Sequence, residues 1–192
     1  MCVAAPVKIS EDAILDAALE LVRDRGFDAL NARALAKALG CSTQPIFKNY
    51  SSMEVLRRAV LERALERYHG FVADFMAASQ EPPYKAIGLA YVEFARKEPA
   101  LFRLLFMRSR RVGEQSPEAV DWPDHTALAG TAAGLSGPAT ERFHLEMWAV
   151  VHGLAVMLAT GYLDLDAETV SRVLSDVFLG VKYKWEGSYE RN

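Results

Sequence analysis

Thr43, Gln44, Pro45, Lys48 and Asn49 lie within two helical turns of one another and carry groups suited to reading base-pair edges. A Gln or Asn amide can both donate to and accept from an adenine edge. A Lys ammonium reaches guanine or phosphate oxygens, and a proline ring offers apolar contact to a thymine methyl. This chemistry works only if the groups share the outer face of a short helix that another helix holds in the major groove.

The surrounding residues predict that support. Asn31 is a candidate N-cap for a first short helix, and Leu35, Ala36 and Leu39 give it a narrow apolar edge. Gly40 can take the left-handed conformation that ends a helix. Ser42 is expected to cap the second helix, with Gln44 and Pro45 in its first turn, where a missing amide costs little. Ile46 and Tyr50, one turn apart, would anchor it inward. The alternative is a helical hairpin inside an ordinary bundle, with the polar residues merely solvated. The flanks argue against it. Ser10 to Gly26 reads as an amphipathic helix with Ile14, Ala18, Leu21 and Val22 on one face. Ser51 and Glu54 read as a capping box. They would open a long helix with Val55, Leu56, Val60, Leu61, Leu65 and Tyr68 on its buried side.

With these residues in place, the chain resembles the TetR family of bacterial transcriptional regulators. The matching pattern runs through Ile14, Ala17, Ala18, Leu21, Gly26, Leu35, Ala36, Leu39, Gly40, Ser42, Ile46, Phe47, Tyr50 and Leu56, about the first 60 residues. The resemblance implies an all-α protein. Residues 1–51 would form a three-helix DNA-binding domain with a helix-turn-helix, and 52–192 a helical effector-binding and dimerisation domain. It places Arg33 within reach of a base and lines the recognition helix with Thr43, Gln44, Pro45 and Lys48. Ser42, Phe47 and Asn49 would meet the sugar-phosphate backbone. Two positions depart from the pattern. Phe47 stands where a Tyr is usual, without the hydroxyl, and Met53 where a Lys is usual, without the charge.

Composition fits this reading. The chain has 192 residues, 51% of them hydrophobic, enough for a substantial core. The net charge is −3, but it is unevenly spread. Residues 1–60 carry 8 Lys or Arg against 7 Asp or Glu, and the remainder 14 against 18. DNA binding would therefore rest on a few placed contacts and on dimerisation rather than on bulk charge. No apolar run approaches the ~18 residues a membrane span needs, and residues 1–10 lack the pattern of a signal peptide. Cys2 and Cys41 have no metal or redox spacing, and Cys41 is expected to pack in the turn. A cytoplasmic location is expected.

Beyond the long helix, expected to reach Ala78, the chain reads as helices throughout. They are Tyr84–Lys97, Ala100–Arg108, Asp124–Ala133, Pro138–Thr160 and Ala167–Tyr183. Ser109 to about Pro123 is expected as a polar loop. In it Arg110 and Arg111, next to Arg108, form a basic cluster that reads as a solvated face rather than an anion site. The resemblance implies that the last two helices pair with their copies in a homodimer. Small residues at Ala149, Gly153, Ala155, Ala159 and Gly161 would permit close approach. An effector pocket between helices is expected around Phe75, Tyr91, Phe94, Phe106, Trp148 and His152, with His144 a further polar group. The four histidines lack ligand spacing, so no metal is assigned. Without a nucleophile motif or phosphate loop, neither enzymatic activity nor a cofactor is expected. The function expected is a dimeric repressor that reads a palindromic double-stranded DNA operator and is released by a small, largely apolar effector. The competing reading is a helical small-molecule-binding or interaction protein without sequence-specific DNA binding.

Overall fold

The computed structural model describes residues 9–109 and 117–189. Among the described residues the secondary structure is helical, as expected, and no helix is long and apolar enough to cross a membrane. The chain forms two compact units, one reaching to Arg67 and the other beginning at Tyr68.

The first unit opens with α1 (Glu11–Arg25). The Ser10 hydroxyl accepts from the Ala13 amide at 3.2 Å, and Gly26 at φ 81° ends the helix. After a short 3-10 turn (Phe27–Ala29) come α2 (Ala32–Ala38), α3 (Gln44–Asn49) and the start of α4 (Met53–Ala78). Ile14, Val22, Leu30, Leu35, Ile46, Leu56 and Val60 are fully buried. Each such side chain contributes about 1.5–3 kcal/mol relative to exposure. Arg57 donates to the Leu30 carbonyl at 2.9 Å, and Arg63 bridges Asp12 and Asp16 of α1 at 3.0 and 2.9 Å.

Three expectations for this unit are corrected. The cap expected at Ser51 falls on Ser52, whose Oγ accepts from the Val55 amide at 3.2 Å. No capping box forms, because Glu54 is then the second helical residue and not the third that a box requires. Thr43, not Ser42, occupies the capping position of α3, and it makes no side-chain bond into the helix. Val55 is exposed, because the buried stripe of α4 here runs Leu56, Val60, Ala64 at strict four-residue spacing.

The second unit contains the rest of α4, α5 (Pro83–Lys97), α6 (Pro99–Phe102), α7 (Pro117–Ala133), α8 (Pro138–Ala159) and α9 (Ala167–Tyr189). α5 packs chiefly on α8, and α7 and α9 also lie against α8. Phe94, Phe102, Phe143 and Leu101 are its largest fully buried side chains. Arg103 donates to the Ala159 carbonyl, placing a cation at the C-terminus of α8, where the helix dipole favours it.

This unit also departs from the sequence reading. The helix expected over 100–108 is a four-residue α-helix followed by a π-turn (Arg103–Met107). Leu101, Phe102, Leu104, Leu105 and Phe106 are all buried there, which one regular α-helical stripe cannot achieve. The segment expected as loop up to Pro123 is helical from Pro117. Pro117 suits a first helical residue, and the helix carries Pro123 in its interior. Arg110 and Arg111 of the basic cluster lie outside the described residues, as does Cys2. Ala155 and Ala159 face the core of their own unit, and Gly161 at φ 70° ends α8.

Candidate nucleic-acid interface and ligand cavity

The turn between α2 and α3 is held by its own backbone. The Asn31 side chain accepts from the Ala34 amide at 3.0 Å, fixing the start of α2. At its end the Gly40 amide donates to Lys37 O (3.3 Å) and the Cys41 amide to Ala36 O (3.0 Å). With Gly40 at φ 64°, these two bonds form a Schellman motif that satisfies the last carbonyls of α2 and redirects the chain into α3. Ile46 and Tyr50 are buried and fix the rotation of α3.

That rotation leaves Gln44, Phe47, Lys48 and Asn49 exposed together with Ser42, while Thr43 and Pro45 are half-buried. Phe47 is 46% exposed, unusual for a large apolar side chain with no polar tip. Asn49 donates one amide N–H to Pro45 O at 2.8 Å, so its second N–H and its side-chain oxygen stay open to a partner. Arg33 is exposed on α2. Lys37 is exposed one turn further along the same helix, a cation the sequence reading passed over although its four-residue spacing from Arg33 was visible. The surface combines a Gln amide, two half-buried groups and three cations on two short helices, the first capped by Asn31.

The second unit contains a cavity of about 460 Å³. Tyr91, Phe106 and Trp148 of the expected pocket line it. The other three expected residues lie elsewhere. Phe94 is fully buried against Tyr68 and Phe71, with ring centroids 5.1 and 5.5 Å away. Phe75 packs beside Phe71. His152 is not part of the wall; its Nδ1 meets Tyr91 Oη at 2.9 Å and its ring stacks on Trp148. The wall includes His144, expected as a further polar group, and Tyr84, Trp122 and His125, which the sequence did not separate from ordinary core residues. Tyr84 Oη and His144 Nδ1 are 2.9 Å apart, and Trp122 lies 4.3 Å from the His144 ring.

Burial governs the protonation of this wall. His144 is pushed down to about 4 by desolvation, reinforced by His125, so it is neutral at pH 7. His125 is lowered by the same cause, against the opposing pull of Asp121 and Asp124. Burial raises Tyr84, which stays a phenol. Among the described residues no group of His, Cys, Asp or Glu could hold a metal ion.

Two family models match on either side of the unit boundary. Residues 14–60 fit the model described as bacterial regulatory proteins, tetR family, and 84–177 the tetracyclin repressor-like C-terminal domain. The chain belongs to the TetR family. TetR-family members are DNA-binding transcriptional regulators, not enzymes. An uncharacterized HTH-type transcriptional regulator of Mycobacterium tuberculosis is 27% identical over 88% of this chain and 79% of its own. The class D tetracycline repressor of Escherichia coli is 26% identical over 54% of this chain, which spans 42% of that relative. A solved TetR-like transcriptional regulator from Rhodococcus sp. RHA1 superposes with a TM-score of 0.65 at 18% identity, covering 91% of this chain and 96% of its own, a likeness of fold.

Proposed function

We propose that this TetR-family regulator is a homodimeric repressor that binds a palindromic operator and leaves it when a small, largely apolar effector enters the cavity of the second unit. The observation that carries the reading is the exposed set of Arg33, Gln44, Phe47 and Lys48 around the capped α2–α3 turn. Lys48, Gln44, Thr43, Pro45 and Arg33 face base edges, and Ser42, Phe47 and Asn49 lie against the backbone. The protein acts where its DNA is, in the cytoplasm.

Dimerisation runs through α8 and α9. Leu145 is 53% exposed, Leu179 62% and Tyr183 79%, an outlay of apolar surface that a monomer does not need. Gly153 and Gly180 leave open space where a Cβ would stand, room for a second copy to approach. Two-fold pairing presents two reading heads to half-sites one helical turn apart or multiples of it. The effector acts by binding a DNA-incompetent geometry of the dimer more tightly than the competent one. α4, which supplies residues to both units, transmits that preference.

The decisive test is selection of bound duplexes from a random DNA pool at physiological salt. A two-fold symmetric motif is the expected outcome. Absence of enrichment from the dimeric, ligand-free protein would overturn the operator reading.

A further inference from the structure

The wall chemistry of the cavity narrows the class of its ligand, on the reading above that the cavity is the effector site. Tyr84 Oη and His144 Nδ1 share one proton across 2.9 Å. A phenol is the better donor of the two and an imidazole nitrogen the better acceptor, so the hydroxyl donates and the ring's own proton resides on Nε2. His144 is only 4% exposed, and its Nε2 has no hydrogen-bond partner among the described residues. That atom has almost no accessible surface in this conformation, so an acceptor reaches it only when a neighbouring wall side chain such as Trp122, 4.3 Å from the ring, moves aside. A ligand that makes the bond satisfies a buried donor.

The charged groups of the wall disfavour an anion. Glu81 and Lys85 are paired at 2.9 Å across one helical turn, and Asp121 lies 3.4 Å from His69. No cation remains among the described wall residues for a carboxylate or phosphate. The surroundings that hold both wall histidines neutral, even beside Asp121, equally disfavour an ammonium. The remaining surface is dominated by flat aromatic faces, Trp122, Trp148 and Tyr91 among them.

We propose that the cavity takes an uncharged, ring-containing hydrophobic molecule with one hydrogen-bond acceptor, a ketone, ester or ether oxygen, which it presents to Nε2 of His144. Equilibrium dialysis of the full-length protein with four probes of one size class tests this: naphthalene, 2-acetylnaphthalene, 2-naphthoate and 2-naphthylmethylammonium. The ketone should bind about tenfold more tightly than naphthalene, the worth of one good neutral hydrogen bond, and more tightly than either ion. His144→Leu should abolish the preference for ketone over naphthalene while naphthalene still binds. Tyr84→Phe, which keeps the histidine but frees Nδ1, should weaken the preference and serves if the Leu variant does not fold. Tightest binding of either ion, or equal binding of ketone and hydrocarbon, would overturn the ligand class and leave the cavity as a binding site. Failure of both naphthalene and the ketone to bind would overturn the effector-site reading and the ligand class with it.

Discussion

The phenol of Tyr91 and Nδ1 of His152 lie 2.9 Å apart, a bond that ties α5 to α8 behind the cavity wall. The same imidazole stacks on Trp148, with centroids 4.7 Å apart and planes 12° from parallel. Tyr91 and Trp148 both line the cavity. His152 therefore serves as a brace that sets the spacing of two wall residues, and not as a ligand contact.

Removing the hydroxyl with Tyr91→Phe should cost about 0.5–1.5 kcal/mol, the net worth of one intramolecular hydrogen bond. In a chain of this size that lowers Tm by roughly 2–5 °C. Thermal unfolding followed by circular dichroism checks it, and an unchanged Tm would mean that the brace carries no energy. The wall ring itself is retained, so binding of an uncharged aromatic probe should change less than stability does.

Gly40 offers a cleaner test of the α2–α3 turn. Its φ is 64°, and a Cβ built there would meet nothing within 4 Å, so any penalty is conformational and not steric crowding. Gly40→Val should destabilise by about 1–2 kcal/mol, with Gly40→Asn milder because Asn tolerates this region. Equal Tm losses for Val and Asn would show that the Schellman geometry is not what limits the turn.

The same turn explains what was legible in the sequence. Asn31 as a cap, Gly40 as a stop and Ile46 with Tyr50 as anchors are decisions made within one or two turns of helix, and each follows from residue type and spacing. The α3 cap falls one residue from its expected place because Ser42 and Thr43 are equivalent by type. The cavity obeys no local rule. Tyr91 and Phe94 belong to one stripe of α5, yet one lines the cavity and the other is sealed in the core. Tyr84 meets His144 across 60 positions of sequence, a pairing that only the packing of α5 on α8 creates. Trp122 falls at the end of an expected loop because the stretch from Ser109 reads as polar, whereas α7 begins at Pro117 and accommodates Pro123 in its interior.

Gln44 and Lys48 are exposed and pack against nothing essential, so alanine at both should leave Tm nearly unchanged. Duplex binding should fall sharply, in distinct ways. Gln44→Ala should relax discrimination at one base pair by about 1–3 kcal/mol. Lys48→Ala should relax discrimination at a neighbouring base pair and, because it removes a cation from the groove, should also make the salt slope shallower, which Gln44→Ala does not. Fluorescence anisotropy at several salt concentrations separates the two. Full binding by the double variant would show that α3 is not the reading helix.

Gly153 and Gly180 test the dimer face without disturbing the monomer. Each has open space where a side chain would begin. Gly180→Arg should keep the helical circular dichroism signal and halve the mass seen by analytical ultracentrifugation. Operator affinity should drop with it, since one reading head cannot span two half-sites. A Gly180→Arg protein that stays dimeric would move the interface elsewhere.

The pH response of the second unit follows from His144. Its folded pKa is about 4 against an ordinary 6.5, and burial is the principal cause. Between those values the unfolded chain takes up a proton that the folded chain refuses. Stability is therefore undiminished above about pH 6.5 and declines as pH falls towards 4, by up to about 1.4 kcal/mol per unit from this one group. His125 is shifted in the same direction and adds to the decline. Carboxylates contribute their own acid sensitivity, so the comparison has to be with His144→Gln, which removes the titration and leaves the rest. Thermal unfolding between pH 7.5 and 4.5 should show the native protein losing several degrees more than the variant. Parallel curves would mean that the folded protein admits the proton, and that water or a counter-charge reaches Nε2.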